Sequence, residues 1–259
     1  MFHPTNQEQE QLLQDLLAEY NRPFSGWDFS YLHGRMIEDD TPRSWNYRAT
    51  VLSYLRTAHV LLDMGTGGGE FLSSLQPLPS ETSATEGYLP NIAIARQQLE
   101  PLGVTVYAVE EDQHLPFENG HFDLVINRHE SYTPQEIHRI LRSGGHFITQ
   151  QVGGRNNLGL NALLRGPSDF GMTSWDCAYA VQELEQAGMQ IIEQREAFPF
   201  TRFLDVGAVV YYLKAIPWQV SDFSVEKYFE PLVRIADQIR KDGWIEIRSH
   251  SFFIIARKQ

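Results

Sequence analysis

The sequence predicts an α/β fold: a largely parallel sheet with helices on both faces. Three observations carry this. Short β-type runs, HVLLDMG, TSATEG, VTVYAV, FDLVINRH and HFITQQV, follow one another through the middle of the chain. Helical patterns such as LPNIAIARQQLEPLG and PQEIHRILRSGG alternate with them. Alternation at this pitch implies parallel pairing through crossover helices. Finally, a glycine-rich loop follows the first of these runs directly, as where a backbone turns tightly or must approach a ligand.

Taken in order, Glu8–Phe24 places Leu12, Leu13, Leu16 and Leu17 at helical spacing and stops at the Asn21–Pro23 breaker. An aromatic, irregular stretch follows, and from Pro42 the pattern reads as a second helix. The alternating core comes next. Gly144 and Gly145 allow a tight reversal before the run HFITQQV. VGGRNNLGLNALLRGPSDFG reads as a loop because of its glycines and asparagines. SWDCAYAVQELEQAG reads as a helix capped by Ser174 and stopped by Gly188. MQIIEQREAF and HSFFIIARK are late strands, and the segment between them is mainly helical, broken at Pro217. The expected layout is one domain over 1–259: a helical amino-terminal cap (1–57), a core (58–153), and the rest of the sheet (154–259) with a helical insertion (205–242).

Composition narrows the classes of function. The chain has 259 residues, 42% of them hydrophobic, and a net charge of −12, enough for one large α/β domain. No apolar run reaches the roughly 18 residues that span a bilayer, and no signal-peptide pattern is visible. With Cys177 as the one cysteine, neither an internal disulfide nor a multi-cysteine metal site is possible, and the expected compartment is the cytoplasm. The acidic balance argues against a nucleic-acid partner. The histidines show no pair at metal-ligand spacing, so no metal is expected.

The stretch LLDMGTGGGEFLSSL fails two phosphate-binding patterns. Starting a G-x-G-x-x-G fingerprint at Gly65 puts Glu70 at its end, and starting at Gly67 puts Leu72 there. A P-loop needs a lysine and a hydroxyl residue after its last glycine, but Glu70 and Phe71 follow Gly69. What remains is Asp63-x-Gly65-x-Gly67-x-Gly69 at a strand end. Glu86 ends the next strand, AVEEDQHLPFENGHFDLVINRHE places acids before Leu-Pro-Phe, and EIHRILRSGGHFITQQVG follows. Over about Tyr54–Gly153, this order resembles the class I S-adenosylmethionine-dependent methyltransferases.

The resemblance implies a Rossmann-like, seven-stranded, mostly parallel sheet, with helical additions from both ends forming a cap. It implies S-adenosylmethionine as cofactor and methyl transfer to a small or medium-sized acceptor. Asp63, Gly65, Gly67 and Gly69 would face the methionine part, and Glu86 and Gly87 the ribose. Glu111, Asp112 and Gln113 would lie beside the adenine, with Asn127 closing the site. An acid at the end of the second strand can accept from ribose hydroxyls.

His129 and Glu130 follow the FDLVIN strand at the carboxyl end, where ligands bind in open α/β sheets. His129 is a candidate general base, with Glu130 orienting it or taking the proton; the alternative is that His129 only packs. Trp27, Tyr31 and Trp45 are candidate walls of the acceptor pocket, as are Tyr211, Tyr212 and Trp218, although ordinary helix-on-sheet packing would also use them. Arg48 is a candidate partner for the methionine carboxylate. Two other readings stay open: methylation of an RNA base, and a non-catalytic protein that binds the cofactor.

Overall fold

The computed structural model describes residues 6–24, 29–41, 43–165 and 174–259. In chain order its main elements begin with α1 (Asn6–Asn21), β1 (Met36–Glu38), α2 (Tyr47–Leu55), β2 (Val60–Met64), α3 (Glu70–Ser73), β3 (Glu81–Glu86), α4 (Leu89–Leu99) and β4 (Val104–Ala108). Then come β5 (Phe122–Arg128), α5 (Pro134–Ile140), β6 (Leu141–Val152), α6 (Leu158–Leu164), α7 (Cys177–Gln186) and β7 (Met189–Ala197). The chain closes with β8 (Phe200–Phe203), α8 (Val206–Ala215), α9 (Phe229–Asp242), β9 (Ile245–Arg248) and β10 (Ser251–Lys258).

These elements form two compact units. The larger is a seven-stranded sheet of order β4-β3-β2-β5-β6-β10-β7. Pairing is parallel from β4 to β6, and β10 runs antiparallel to both β6 and β7. This is the expected Rossmann-like α/β sheet. Leu61, Leu62, Met64, Leu124, Val125 and Ile126 are buried on both faces, which is why these strands read as continuous apolar runs rather than alternating ones. One face packs Val51, Leu55, Ala95 and Leu99 against the sheet. The other packs Ile137, Ile140, Ala180 and Leu184. Strand order reverses at β2, which pairs with β3 on one side and β5 on the other. That switch point fixes where a crevice can open.

The smaller unit holds α1, β1, α6, β8, α8, α9 and β9. The amino-terminal helix and the 205–242 insertion thus belong together, with α1 lying against α8. Arg35 ties them, reaching Asp205 Oδ1 at 2.6 Å, Asp205 Oδ2 at 2.9 Å and Glu19 Oε1 at 3.0 Å. Asp205 also caps α8 by accepting from the Ala208 amide at 2.7 Å.

Three local expectations are corrected. The stretch read as a loop contains α6, because Asn161 is buried and exchanges hydrogen bonds with Gln219: Nδ2 to the backbone oxygen at 2.8 Å, and Gln219 Nε2 to Oδ1 at 2.7 Å. The cap of α7 is Asp176, not Ser174; its carboxylate accepts from the Tyr179 amide at 2.9 Å. The short strands β1, β8 and β9 form a three-stranded antiparallel sheet that local sequence pattern did not announce.

Arg35→Leu should destabilise the smaller unit by about 2 kcal/mol, because it strands two carboxylates and loosens a helix cap. Urea denaturation followed by circular dichroism measures this. An unchanged midpoint would mean that the ion cluster contributes no net stability.

Candidate active site

The site is built at the carboxyl ends of β2, β3 and β5. After Met64 the chain turns through Gly65, Gly67 and Gly69, all in the left-handed region with φ of 66°, 63° and 91°. Residues with a Cβ are strained there. The glycines differ in what they face. A Cβ on Gly67 would meet open space, whereas one on Gly69 would stand 2.7 Å from Leu99 of α4. Gly69 therefore serves the contact of the loop with a helix, and Gly67 is the one that leaves room. A Cβ on Gly65 would lie 2.5 Å from Glu130 Cβ, so the Glu130 side chain rests on that glycine.

Glu86 ties the loop to β3. Its Oε2 accepts from the Gly67 amide and its Oε1 from the Tyr88 amide, both at 2.7 Å. Each carboxylate oxygen has a second lone pair. At Gly87 a Cβ would come within 2.8 Å of the Val109 carbonyl oxygen, so glycine lets β3 and the 109–112 loop close together. The chain just beyond that loop is pinned from α5. Glu136 accepts from the Leu115 amide at 2.7 Å, and Arg139 donates to the carbonyls of Phe117 at 2.7 Å and Leu115 at 3.1 Å. Thr133 Oγ1 donates to Asp112 at 3.2 Å.

Between these parts lies a cavity of about 60 Å³ lined by Gly65, Glu86, Gly87, Glu111, Asp112 and Glu130, among others. It gathers six of the residues singled out in the sequence. Asp63 lies beneath the loop, buried, accepting from Thr66 Oγ1 at 2.8 Å. Burial pushes its carboxyl up to about 7, against the pull of Thr66 and Arg128 and with a further push from Glu86. Glu130 is likewise raised, by burial first and then by Glu86. Carboxylates crowded in this way favour a cationic ligand. Gln113 is exposed and does not line the cavity.

Beyond β5 the pattern is polar but not acidic. Asn127 is fully buried; its Oδ1 accepts from Gln151 Nε2 at 2.6 Å and Thr149 Oγ1 at 3.0 Å. It belongs to a buried network on β6 and not to the cavity wall. His129 holds a left-handed backbone, φ 65°, and its amide donates to the Gln150 carbonyl at 2.9 Å. Its imidazole is pushed down to about 4 by burial on one side, then by Arg128 and Arg43.

Trp45 is nearly buried, stacked on Phe253 at 6.0 Å, and its indole N–H donates to Gln150 Oε1 at 2.8 Å. That place makes it a strut under β6. Tyr31 lies in the smaller unit, bonded to Glu19 at 3.1 Å with Arg22 over its ring, and Trp27 lies outside the described residues. Arg48 donates to the Ser74 carbonyl at 2.8 Å, while Arg128 stands over the Phe71 ring, 4.7 Å away. Sequence reasoning passed over Thr149, Gln150, Gln151, Arg43 and Arg128. The polar run TQQ inside an otherwise apolar strand was the available signal.

Residues 62–149 match the family model described as methyltransferase domain. That stretch, about a third of the chain, is similar to a methyltransferase domain. No curated protein sequence matches the chain. Among solved structures, a protein provisionally assigned as a methyltransferase from Bacillus halodurans C-125 is 18% identical, with a TM-score of 0.57 over 82% of this chain and 98% of its own. A functionally unknown protein from Deinococcus radiodurans R1 aligns over 98% of this chain and 100% of its own, at 13% identity and a TM-score of 0.59. A geranyl diphosphate methyltransferase in complex with SAM is 14% identical, TM-score 0.50, over 82% and 84% of the two chains. These likenesses show the fold of the methyltransferase domain. No described helix is long and apolar enough to cross a membrane.

The raised Asp63 carboxyl gives a pH prediction. The folded chain keeps a proton there up to about 7, while the unfolded chain releases it near 3.8. Over that interval the folded state binds more protons, so this group's contribution to stability falls as pH rises. Asp63→Asn should therefore be more stable than the wild type by on the order of 2 kcal/mol at about pH 8, with the difference vanishing near pH 3. Urea unfolding across this range tests it; a constant difference would place the cause elsewhere.

Proposed function

We propose that the chain transfers a methyl group from S-adenosylmethionine to a small or medium-sized acceptor in the cytoplasm. The observation that carries this reading is the acidic cavity at the switch point, where Gly65, Glu86, Gly87, Glu111, Asp112 and Glu130 converge. The donor set fits a zwitterionic amino acid joined to a nucleoside. Gly67 leaves open space beside the backbone, and buried Asp63 and half-crowded Glu130 suit an ammonium group. The remaining lone pairs of Glu86 suit two ribose hydroxyls, and Glu111 or Asp112 can accept from an exocyclic amine. A phosphate-bearing ligand would be repelled by the same acids.

When bound, the cofactor supplies an electrophilic methyl group on a sulfonium, with a neutral thioether as leaving group. The protein's share is position: holding the acceptor in line with that carbon and keeping water out. For a ligand to lie against Gly65, the Glu130 side chain must swing off that glycine, so Glu130 would move as the site fills. Net charge of −12 supports an acceptor other than a polyanion.

Titration calorimetry with S-adenosylhomocysteine should show saturable binding. Glu86→Gln keeps the side chain's size but loses the charge and turns a donor toward the Gly67 or Tyr88 amide, and should weaken that binding by about tenfold or more. Binding of NADH in place of S-adenosylhomocysteine, or an affinity untouched in a folded Glu86→Gln protein, would overturn the reading.

A further inference from the structure

His129 looks from the sequence like a general base. Its surroundings assign it another task. The indole of Trp45 can only donate a hydrogen bond. Its Nε1 lies 2.8 Å from the Gln150 side chain, so the atom of Gln150 facing it must be the carbonyl oxygen. The amide nitrogen of Gln150 then faces the other way, 3.3 Å from His129 Nε2. That nitrogen can only donate. His129 Nε2 must therefore be the unprotonated, accepting nitrogen, and the ring proton resides on Nδ1. The orientation rests on the donor-only indole and not on how the amide oxygen and nitrogen are labelled.

Two further features agree. Trp45 is held by its stack on Phe253, with the rings 12° from parallel, and Gln150 is buried, so neither partner is free to turn. The second feature is charge. Arg128 and Arg43 both act on His129 to disfavour its protonated form. Both arginines are exposed; Arg128 lies over the Phe71 ring and Arg43 over the Trp45 ring, at 4.7 and 5.9 Å. Neither makes an ion pair with a described residue. His129 is itself exposed, and no described residue accepts from its Nδ1. A neutral N–H donor is thus left open within reach of the field of two cations, in a chain with a net charge of −12.

We propose that Trp45 and Gln150 fix His129 as the Nδ1–H tautomer, so that His129, in the field of Arg43 and Arg128, donates to an anionic oxygen such as a carboxylate of a bound molecule instead of acting as a base. Trp45 and Gln150 are then positioning residues acting through His129. With its Nε2 engaged by Gln150 and its Nδ1 already protonated, the ring has no vacant lone pair to take a proton from an acceptor. That the carboxylate belongs to a methyl acceptor or to the cofactor's amino-acid end rests on the function proposed above; the tautomer does not.

Long-range proton–nitrogen NMR spectra of the full chain, with His129→Asn used to assign the signal, read the tautomer directly. Asparagine tolerates the left-handed backbone at this position. The wild type should show protonated Nδ1 and bare Nε2 at neutral pH, with no titration near 6.5, the ordinary histidine value. Gln150→Glu presents an acceptor to Nε2 and should move the proton there, raising the titration point. Trp45→Phe frees Gln150 to turn and should give a mixture of tautomers. Acetate at constant ionic strength should shift the Nδ1–H signal, and Arg128→Gln should reduce that shift several-fold.

Three ligand additions locate the carboxylate. A shift with S-adenosylhomocysteine but not with 5′-methylthioadenosine, which lacks the amino-acid end, assigns it to the cofactor. A shift only when acetate is added to the S-adenosylhomocysteine complex assigns it to the acceptor. A protonated Nε2 in the wild type, an ordinary titration near 6.5, or no response to any of these carboxylates overturns the proposal. Failure of S-adenosylhomocysteine to bind, with the tautomer and the acetate shift intact, would instead remove the cofactor reading and leave the donor in place.

Discussion

The split of β3 and β5 around β2 is the constraint on which the larger unit depends. Because β2 pairs with a neighbour on each side in parallel, the loops that leave β2, β3 and β5 all emerge at one edge and diverge. A crevice opens there without any special sequence. What the sequence adds is occupancy of that edge: glycines where the backbone must bend, acids at the strand ends, and a clamp of Glu136 and Arg139 that holds the 115–119 segment from α5. Remove the parallel pairing and none of these groups would share a cavity.

Concentrating carboxylates in this way carries an electrostatic cost. Asp63 and Glu130 are both pushed upward, Asp63 to about 7, chiefly by burial. The site therefore stores destabilisation that a cationic ligand would relieve, the same arrangement by which binding sites elsewhere trade stability for affinity. At Glu86 two backbone amides point at the carboxylate oxygens. One residue thus shapes the loop and offers its remaining lone pairs outward.

The neighbouring strand β6 handles polarity differently. Thr149, Gln150 and Gln151 are buried at its carboxyl end, and each side chain finds a partner: Asn127, Trp45 and His129, or the Glu130 carbonyl. A satisfied buried network of this kind is rigid and directional. It fixes the geometry of the segment 127–130, holding His129 in a left-handed backbone that is strained for a residue with a Cβ.

By itself the sequence determined the fold class, the strand order's parallel core and the principal loop of the site. Apolar strand runs, helical periodicity and the spacing of Gly65, Gly67 and Gly69 are local signals, and local chemistry dictates them. Glu86 stands at the end of a strand that the local pattern locates, whereas Glu111 and Asp112 were named through the family resemblance alone. Tertiary structure decided the rest. Only contacts between distant segments separate Gly69, which packs on Leu99, from Gly67, which faces open space. Only the Trp45–Gln150 bond, across 105 positions of chain, sets Trp45 beneath β6 and turns the other end of the Gln150 side chain toward His129. The three-stranded sheet of β1, β8 and β9 was hidden too, since strands of three or four residues carry too few side chains to show a period, and their partners lie far apart in the sequence.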